Sequence, residues 1–384
     1  VKKAYKTELK MTEKQLEKLV KTIGVCRYLY NLYLQKAQDH YKETGEFLSG
    51  YSFDKWINNV HSKQDGFGWI KEVSSKARKK SIMNGECAYK KFFLKKAGFP
   101  RFKKKKNQDV KVYLPKNSET DWTAQRHRIK IPTFNFVRLK EFGYIPENAK
   151  VINGTLSIKA GRVFLSLLCD VPEPTIERAV APGVGIDLGI KNFAALSDGS
   201  IYPNINKTSK VKRQEKKLKR ESRALARKQN AKKKAGKTVG SGSNLIKNTL
   251  RVQKLHYRIG NIREEYRRSV VNAVVKTKPQ HITVEDLNVR GMVKNRHLAK
   301  AVTDQGFYAF KLFLLAQCHK HGVELRQVSM FYPSSKTCSN CGAVKKHLSL
   351  SERTYKCSSC GLEIDRDLNA AYNLRDANQY SILT

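Results

Sequence analysis

Polar and apolar positions change period several times along this chain. Residues 4–11, AYKTELKM, alternate and predict a strand. TEKQLEKLVKTIGVCRYLYNLYLQ follows, with Leu16, Leu19, Ile23, Cys26 and Tyr30 at helical spacing and a Thr12/Gln15 capping-box pattern at its start. The stretch SSKARKKSIMNGECAYKKFFLKK, 74–96, predicts a second helix with an apolar face of Ile82, Cys87, Tyr89, Phe92 and Phe93. Gly98 and Pro100 break that pattern. From 110 to 178 short strands dominate: DVKVYLP, HRIKIPT, TLSIKA and RVFLSLLCDV. Their spacing predicts a β-barrel or small sandwich. The first strand is assigned to it, which makes the helical residues 12–96 an insertion into a β-domain of 1–11 and 97–178.

PEPTIERAVAP reads as a linker, and beyond it the organisation changes. VGIDLGI is a strand of the buried type, and NFAALSDGSIYP is a hairpin turning at Asp198-Gly199. Two long basic helices are predicted over 207–235 and 244–276, joined by the loop GKTVGSGSN. HITVEDL is another apolar strand. TDQGFYAFKLFLLAQCHKHG is an amphipathic helix with Phe307, Phe310, Leu314 and Cys318 on one side and Gly322 as its stop. VELRQVS is the next strand, and CGLEIDRDLNAAYNL enters a last helix. The pattern is α/β and multidomain, as a length of 384 residues allows.

Charge narrows the partners. Lys and Arg total 76 against 33 acids, a net charge of +43. Such a surplus calls for a polyanion, with nucleic acid ahead of a membrane surface because no amphipathic anchor stands out. No run approaches the roughly 18 apolar residues that span a bilayer, and VKKAYKTELK has no signal-peptide pattern. A cytoplasmic, nucleoid-associated protein is expected. The basic helix KVKRQEKKLKRESRALARKQNAKKK carries charge on all faces, so either solvent or a polyanion surrounds it. Lys212, Arg213, Lys216, Lys217 and Arg220 are its candidate phosphate contacts, and GFPRFKKKKN adds Arg101, Lys103 and Lys104.

Four of the eight cysteines, Cys26, Cys87, Cys169 and Cys318, sit in apolar or helical surroundings and read as small core residues. The others form two knuckles, Cys338/Cys341 and Cys357/Cys360, each followed by glycine, at Gly342 and Gly361. Two CxxC turns complete a tetrahedral sulfur site for Zn²⁺. Four thiolates leave no open position, so the zinc is structural, and His347 inside the loop is a surface residue.

Acids stand where the chain should be apolar. Asp187 lies within a buried-type strand, Glu285 and Asp286 end another, and Asp365 and Asp367 begin a helix. A carboxylate in a core strand costs several kcal/mol unless a cation or hydrogen-bond donors meet it. Each acid could also serve locally, as a turn cap, a lysine partner or a helix N-cap. Together, two strand acids and one helix acid can converge on a sheet edge and hold Mg²⁺ or Mn²⁺.

VGIDLGIKNFAALSDG, ITVEDLNVRGM, FYPSSKTCSNCG and CGLEIDRDLNAAYNL resemble the RuvC-type nuclease motifs and zinc finger of the transposon-associated TnpB family, relatives of type V CRISPR effectors. The likeness is specific over 181–375. It implies an RNase H-like nuclease domain over 179–384 with a zinc ribbon at 336–362, a wedge-type β-domain and a helical recognition insert. The implied activity is RNA-guided, two-metal DNA cleavage beside a short adjacent motif, by a monomer. Its partners are a guide RNA from the transposon end and duplex target DNA. Carried over, the catalytic acids are Asp187, Glu285 and Asp367. Lys76 and Lys79 align with the helix that reads adjacent-motif DNA. The alternative is a guided DNA-binding regulator that does not cut. A strand-joining transposase is disfavoured, since no His pair accompanies a candidate Tyr.

Overall fold

The computed structural model describes residues 1–104, 111–116, 118–173, 180–236, 242–349 and 351–383. Most of the linker 172–182, most of the loop 236–244 and the end of the basic run after Lys104 lie outside them. The chain divides into two compact units, Val1–Glu173 and Pro174–Thr384.

In the first unit, β1 (Lys2–Lys10) leads into helices α1 (Glu13–Thr44), α2 (Gly50–Asn59) and α3 (Ser75–Phe93). Strands β2 (Val112–Pro115), β3 (Thr123–Ala124), β4 (Arg128–Ile131), β5 (Asn135–Leu139), β6 (Lys150–Lys159) and β7 (Arg162–Asp170) follow. The seven strands form one antiparallel sheet in the order β2-β6-β7-β1-β5-β4-β3. The first strand thus sits in the middle of the sheet, and the helices are inserted between it and β2. Trp122, just before β3, lies on Gly154 of β6, where an added Cβ would meet the ring at 2.3 Å. In a flat sheet β3 and β6 would stand about 24 Å apart, so the sheet is rolled. The Asn148 N–H, donating to Ala124 O at 3.1 Å, joins the same two regions.

The capping box at Thr12 forms as its residues predict, and α1 runs to Thr44 before Gly45 stops it in the left-handed region. On α3, Ile82 and Tyr89 are buried, but Cys87 and Phe93 are exposed. The expected apolar face is therefore narrower, and Cys87 is not a core residue. It stands five positions after Ile82, more than a third of a turn away from that face. The core is completed instead by α2, whose Phe53 and Ile57 pack beside Tyr33 and Ile70.

The second unit opens with β8 (Val184–Leu188), β9 (Asn192–Leu196) and β10 (Ile201–Pro203). The expected hairpin turns at Gly199, φ 87°, with Asp198 Oδ1 accepting from the Ser200 N–H. Two long helices, α4 (Ser209–Lys234) and α5 (Ser243–Lys276), precede β11 (His281–Glu285). Then come α6 (Val289–Lys294), α7 (Ala299–Gln305), α8 (Phe307–His321) and β12 (Glu324–Val328). The helix expected from Thr303 is broken at Gly306, φ 68°, so α8 starts at Phe307. Its buried face is the expected one: Phe307, Phe310, Leu314 and Cys318. A small hairpin, β13 (Thr354–Lys356) and β14 (Glu363–Asp365), leads to α9 (Arg366–Arg375) and a last strand, β15 (Ser381–Leu383). The main sheet has the order β10-β9-β8-β11-β12-β15 and is mixed, with β8, β11 and β12 parallel. Among the described residues no helix is long and apolar enough to cross a membrane.

Candidate functional site

The parallel register pairs Val284 of β11 with Ile186 of β8. One step further, Asp187 and Glu285 end up side by side at the carboxyl ends of neighbouring strands. That is the edge at which open α/β sheets bind ligands. Helix α9 lies against β8, β9 and β11 and carries Asp367 in its first turn. Its approach depends on Gly185. A Cβ there would stand 2.0 Å from Ala371 O and 2.5 Å from Arg375 N. Ala370, Ala371 and Leu374 are buried against the strand.

The electrostatics follow from this crowding. Burial pushes the Asp187 carboxyl pKa well above the ordinary value, and the negative charges of Glu285 and Asp367 push it further. Arg366 opposes the shift. Burial also raises Glu285, against the pull of a hydrogen bond that its Oε1 accepts from Ser334 Oγ. Two half-buried, mutually repelling carboxylates are a poor arrangement for a protein alone and a good one around cations. Three hard oxygen donors fit Mg²⁺ or Mn²⁺. Asp365 has another job: its Oδ1 accepts from the Asp367 and Leu368 N–H groups at 2.9 and 3.2 Å and caps α9. Asp286 is exposed and pairs with Lys311 at 3.6 Å.

The thiols of Cys338, Cys341, Cys357 and Cys360 come together with every sulfur within 4.8 Å of the others, the geometry of a shared ion. Among the described residues this is the only such tight group of three or more Cys, His or acid ligands, so the carboxylates are spread wider. Gly342 and Gly361 turn each knuckle in the left-handed region. Backbone N–H groups at Cys360 and Leu362 lower the thiols of Cys357, to about 6, and of Cys360, which favours the thiolate a metal needs, while Cys341, pulled down by a backbone bond at Ala343, is pushed up to about 12 by the neighbouring sulfurs. His347 is exposed and takes no part.

Two buried asparagines join this ribbon to the carboxylates. Asn369 Nδ2 donates to Thr337 O at 2.7 Å, and its Oδ1 accepts from Ser339 N at 3.0 Å, inside the first knuckle. Asn373 Nδ2 donates to Ser334 O and Thr337 O, each at 2.7 Å. Ser334 is the residue bound to Glu285. Sequence reasoning missed Gly185, Ser334, Arg366, Asn369 and Asn373. Only the two asparagines left a signal: amide side chains on the apolar face of a short helix.

The basic candidates are distributed over both units. Lys76 and Lys79 are exposed one turn apart on α3, with Lys79 Nζ 4.9 Å from the centre of the Tyr51 ring. Arg101 and Lys104 are exposed. Lys103 is pinned to α1 by backbone bonds to Asn31, and its Nζ lies 3.9 Å over Tyr30. Lys212, Arg213, Lys216, Lys217 and Arg220 are all exposed on α4. Arg213, Lys216, Lys217 and Arg220 line a groove of about 1000 Å³ that Arg258 of α5 also faces.

A family model described as "Probable transposase" (OrfB_IS605) matches residues 166–296. The Cas12f1-like TNB domain matches 307–374, which holds the ribbon and α9. A third model of the same group, described as a helix-turn-helix domain, matches 1–46, where the structure has β1 and the single long helix α1. A TnpB-like protein of Acanthamoeba polyphaga mimivirus is 30% identical over 200 residues, covering 50% of this chain and 36% of its own. Over these regions the chain resembles the TnpB family. Longer matches reach proteins named as candidate RNA-guided DNA endonucleases. One, from Streptomyces pristinaespiralis, is 29% identical over 97% of this chain and 89% of its own. Another, InsQ of Escherichia coli K12, is 28% identical over 97% and 91%. A cryo-EM structure of a Cas12f1–sgRNA–target DNA complex shares the fold, with a TM-score of 0.56 over 99% of both chains at 14% identity.

Proposed function

We propose that this TnpB-like protein is an RNA-guided, metal-dependent DNA endonuclease whose catalytic carboxylates are Asp187, Glu285 and Asp367. The observation that carries the reading is the convergence of these acids at one sheet edge, where Glu285 and Asp367 add to burial in raising the Asp187 carboxyl. Two Mg²⁺ or Mn²⁺ ions there would activate water and stabilise the leaving oxygen of a phosphodiester displacement. Asp187 is under the influence of both other acids, as a ligand shared by two ions would be. Ser334 holds Glu285, and α9 holds Asp367 in place. The four cysteines take Zn²⁺ as a closed structural site.

The second unit is read as a RuvC-type, RNase H-like nuclease domain. In the first, the rolled sheet is read as the wedge barrel and α1–α3 as the recognition insert, with Lys76 and Lys79 facing adjacent-motif DNA. The cationic groove of α4 and α5 suits a phosphate backbone, of guide RNA or of its heteroduplex with target. Base pairing with an RNA from the transposon end would select the target, and the protein would act as a monomer. The relatives' names support this function.

Protein loaded with its RNA is mixed with Mg²⁺ and a matched duplex bearing the adjacent motif. Cutting is expected, with none from Asp367→Ala. Tight binding with an intact duplex would overturn the nuclease reading in favour of a guided regulator.

A further inference from the structure

A cavity of about 390 Å³ opens at the carboxyl end of β11, between that edge and α8, with Glu285 among its lining residues. Its floor is apolar: Leu188, Val284 and the buried rings of Phe307 and Phe310. Its mouth is formed by Tyr308, 62% exposed, and Met330, 50% exposed, and the next residue, Phe331, is 85% exposed. Tyr308 and Met330, large and exposed at one cavity, mark a contact surface. The electrostatics select what enters. Glu285 and Asp286 repel a phosphate from this wall. Lys311, which also lines the cavity, is held by Asp286 at 3.6 Å and by Gln327 Oε1 at 2.8 Å. Arg290 supplies a cation at the rim. The site therefore offers an apolar slot for a flat, uncharged ring and a guanidinium for the phosphate attached to it.

We propose that this cavity is a subsite for one unpaired nucleobase of the DNA strand being cut. The inference rests on the nuclease reading and deepens it. Leu188 and Val284 alternate with Asp187 and Glu285 along their strands, so the cavity opens on the α8 face of the same sheet edge whose α9 face holds the carboxylates, and a DNA strand crossing that edge can seat a base here with a neighbouring phosphate at the acids. A base inside a duplex has both faces stacked and its edge paired, so it can fill the slot only after leaving the helix. The subsite thus ties cutting to a strand already displaced, and gives the carboxylates a defined register along it. Tyr308 is a positioning residue: it touches the base and not the reacting atoms.

The test is an abasic scan. RNA-loaded protein in Mg²⁺ receives matched targets in which one nucleotide at a time near the cut lacks its base, and single-turnover rates are measured. Stacking on an aromatic ring predicts a roughly 5- to 150-fold loss at one position for the unaltered protein. Tyr308→Ala should slow the intact substrate by a similar factor and flatten the scan, since ring and base then remove the same interaction. Tyr308→Phe should restore both rate and scan. A 2-aminopurine at the sensitive position, followed in Ca²⁺ without cutting, should be quenched by the unaltered protein and not by Tyr308→Ala. A flat scan with robust cutting overturns the subsite and leaves the nuclease reading standing. A sensitive position that persists unchanged in Tyr308→Ala also overturns it. Failure to cut the intact substrate removes both readings.

Discussion

Gly185→Ala tests how closely the fold must hold its third carboxylate. The added methyl would lie 2.0 Å from Ala371 O, 2.5 Å from Arg375 N and 3.0 Å from the Leu374 Cβ, where ordinary contact begins at 3.4 Å. Two of these atoms are helix backbone, so no rotamer change relieves the clash. Either α9 backs away from β8 by more than an ångström or the strand bows. Overpacking of this kind costs about 1–3 kcal/mol. Asp367 rides on the same helix, and an ångström of displacement at a reacting group costs about 100-fold in rate. The assay pairs single-turnover DNA cutting in Mg²⁺ with thermal unfolding and guide-RNA binding. Cutting should fall about 100-fold, the melting temperature should drop by several degrees, and RNA affinity should not change. Gly24→Ala in α1 is the control. Its Cβ would meet nothing within 4 Å, so it should be neutral or stabilise by about 0.5–1 kcal/mol. If Gly185→Ala melts and cuts like the unaltered protein, the argument that close helix–strand contact sets Asp367 is wrong.

Asp367→Ala should abolish cutting with RNA binding intact, whereas Asp365→Ala should keep substantial activity and lose about 0.5–2 kcal/mol of stability as a helix cap; equal losses of cutting would refute the division of roles. The Asp187 pKa is raised in the fold, so without divalent ions the protein should lose stability as pH climbs from the ordinary carboxylate range through that raised value. Calorimetry should find that Asp187→Asn removes this slope and that Mg²⁺ offsets it in the unaltered protein. Ser334→Ala withdraws the hydrogen bond that lowers Glu285, so the acidic limb of the cutting-rate profile should move to higher pH; an unmoved limb would deny Ser334 that role. Zinc removal by a chelator should loosen α9 in hydrogen exchange and slow cutting, and Asn369→Ala should do the same at a cost of about 1–3 kcal/mol for the Ser339 N–H left without its acceptor, Thr337 O keeping its bond from Asn373.

Much of this was legible in the sequence where one residue type does one local job. The paired CxxC turns need only spacing and glycine, and the sulfurs do meet. The face of α8 follows from helical period alone. The three acids are legible as a misfit of charged groups in apolar strands, but their convergence depends on strand register and on how near α9 can come. That nearness is set by Gly185, a residue whose contribution is the absence of a side chain. Period also misled. Cys87 looks apolar within a helix yet faces water, and Thr303 to Phe307 reads as one helix although Gly306 turns it. The strand β15 is only three residues long and has no signal apart from the partner, β12, that it pairs with.

Chain order gives the carboxylate site a schedule. Asp187 leaves the ribosome first, Glu285 next, and Asp367 some 180 residues after Asp187, behind both cysteine knuckles. At about 5–20 residues per second the gap lasts roughly 9–36 seconds. The rolled sheet needs nothing beyond Asp170, and α4 and α5 are complete by Lys276. The surfaces suited to RNA are therefore available while the nuclease still lacks a ligand and its zinc ribbon. If α4 and α5 hold the guide as proposed, a nascent chain meets its RNA before it is able to cut.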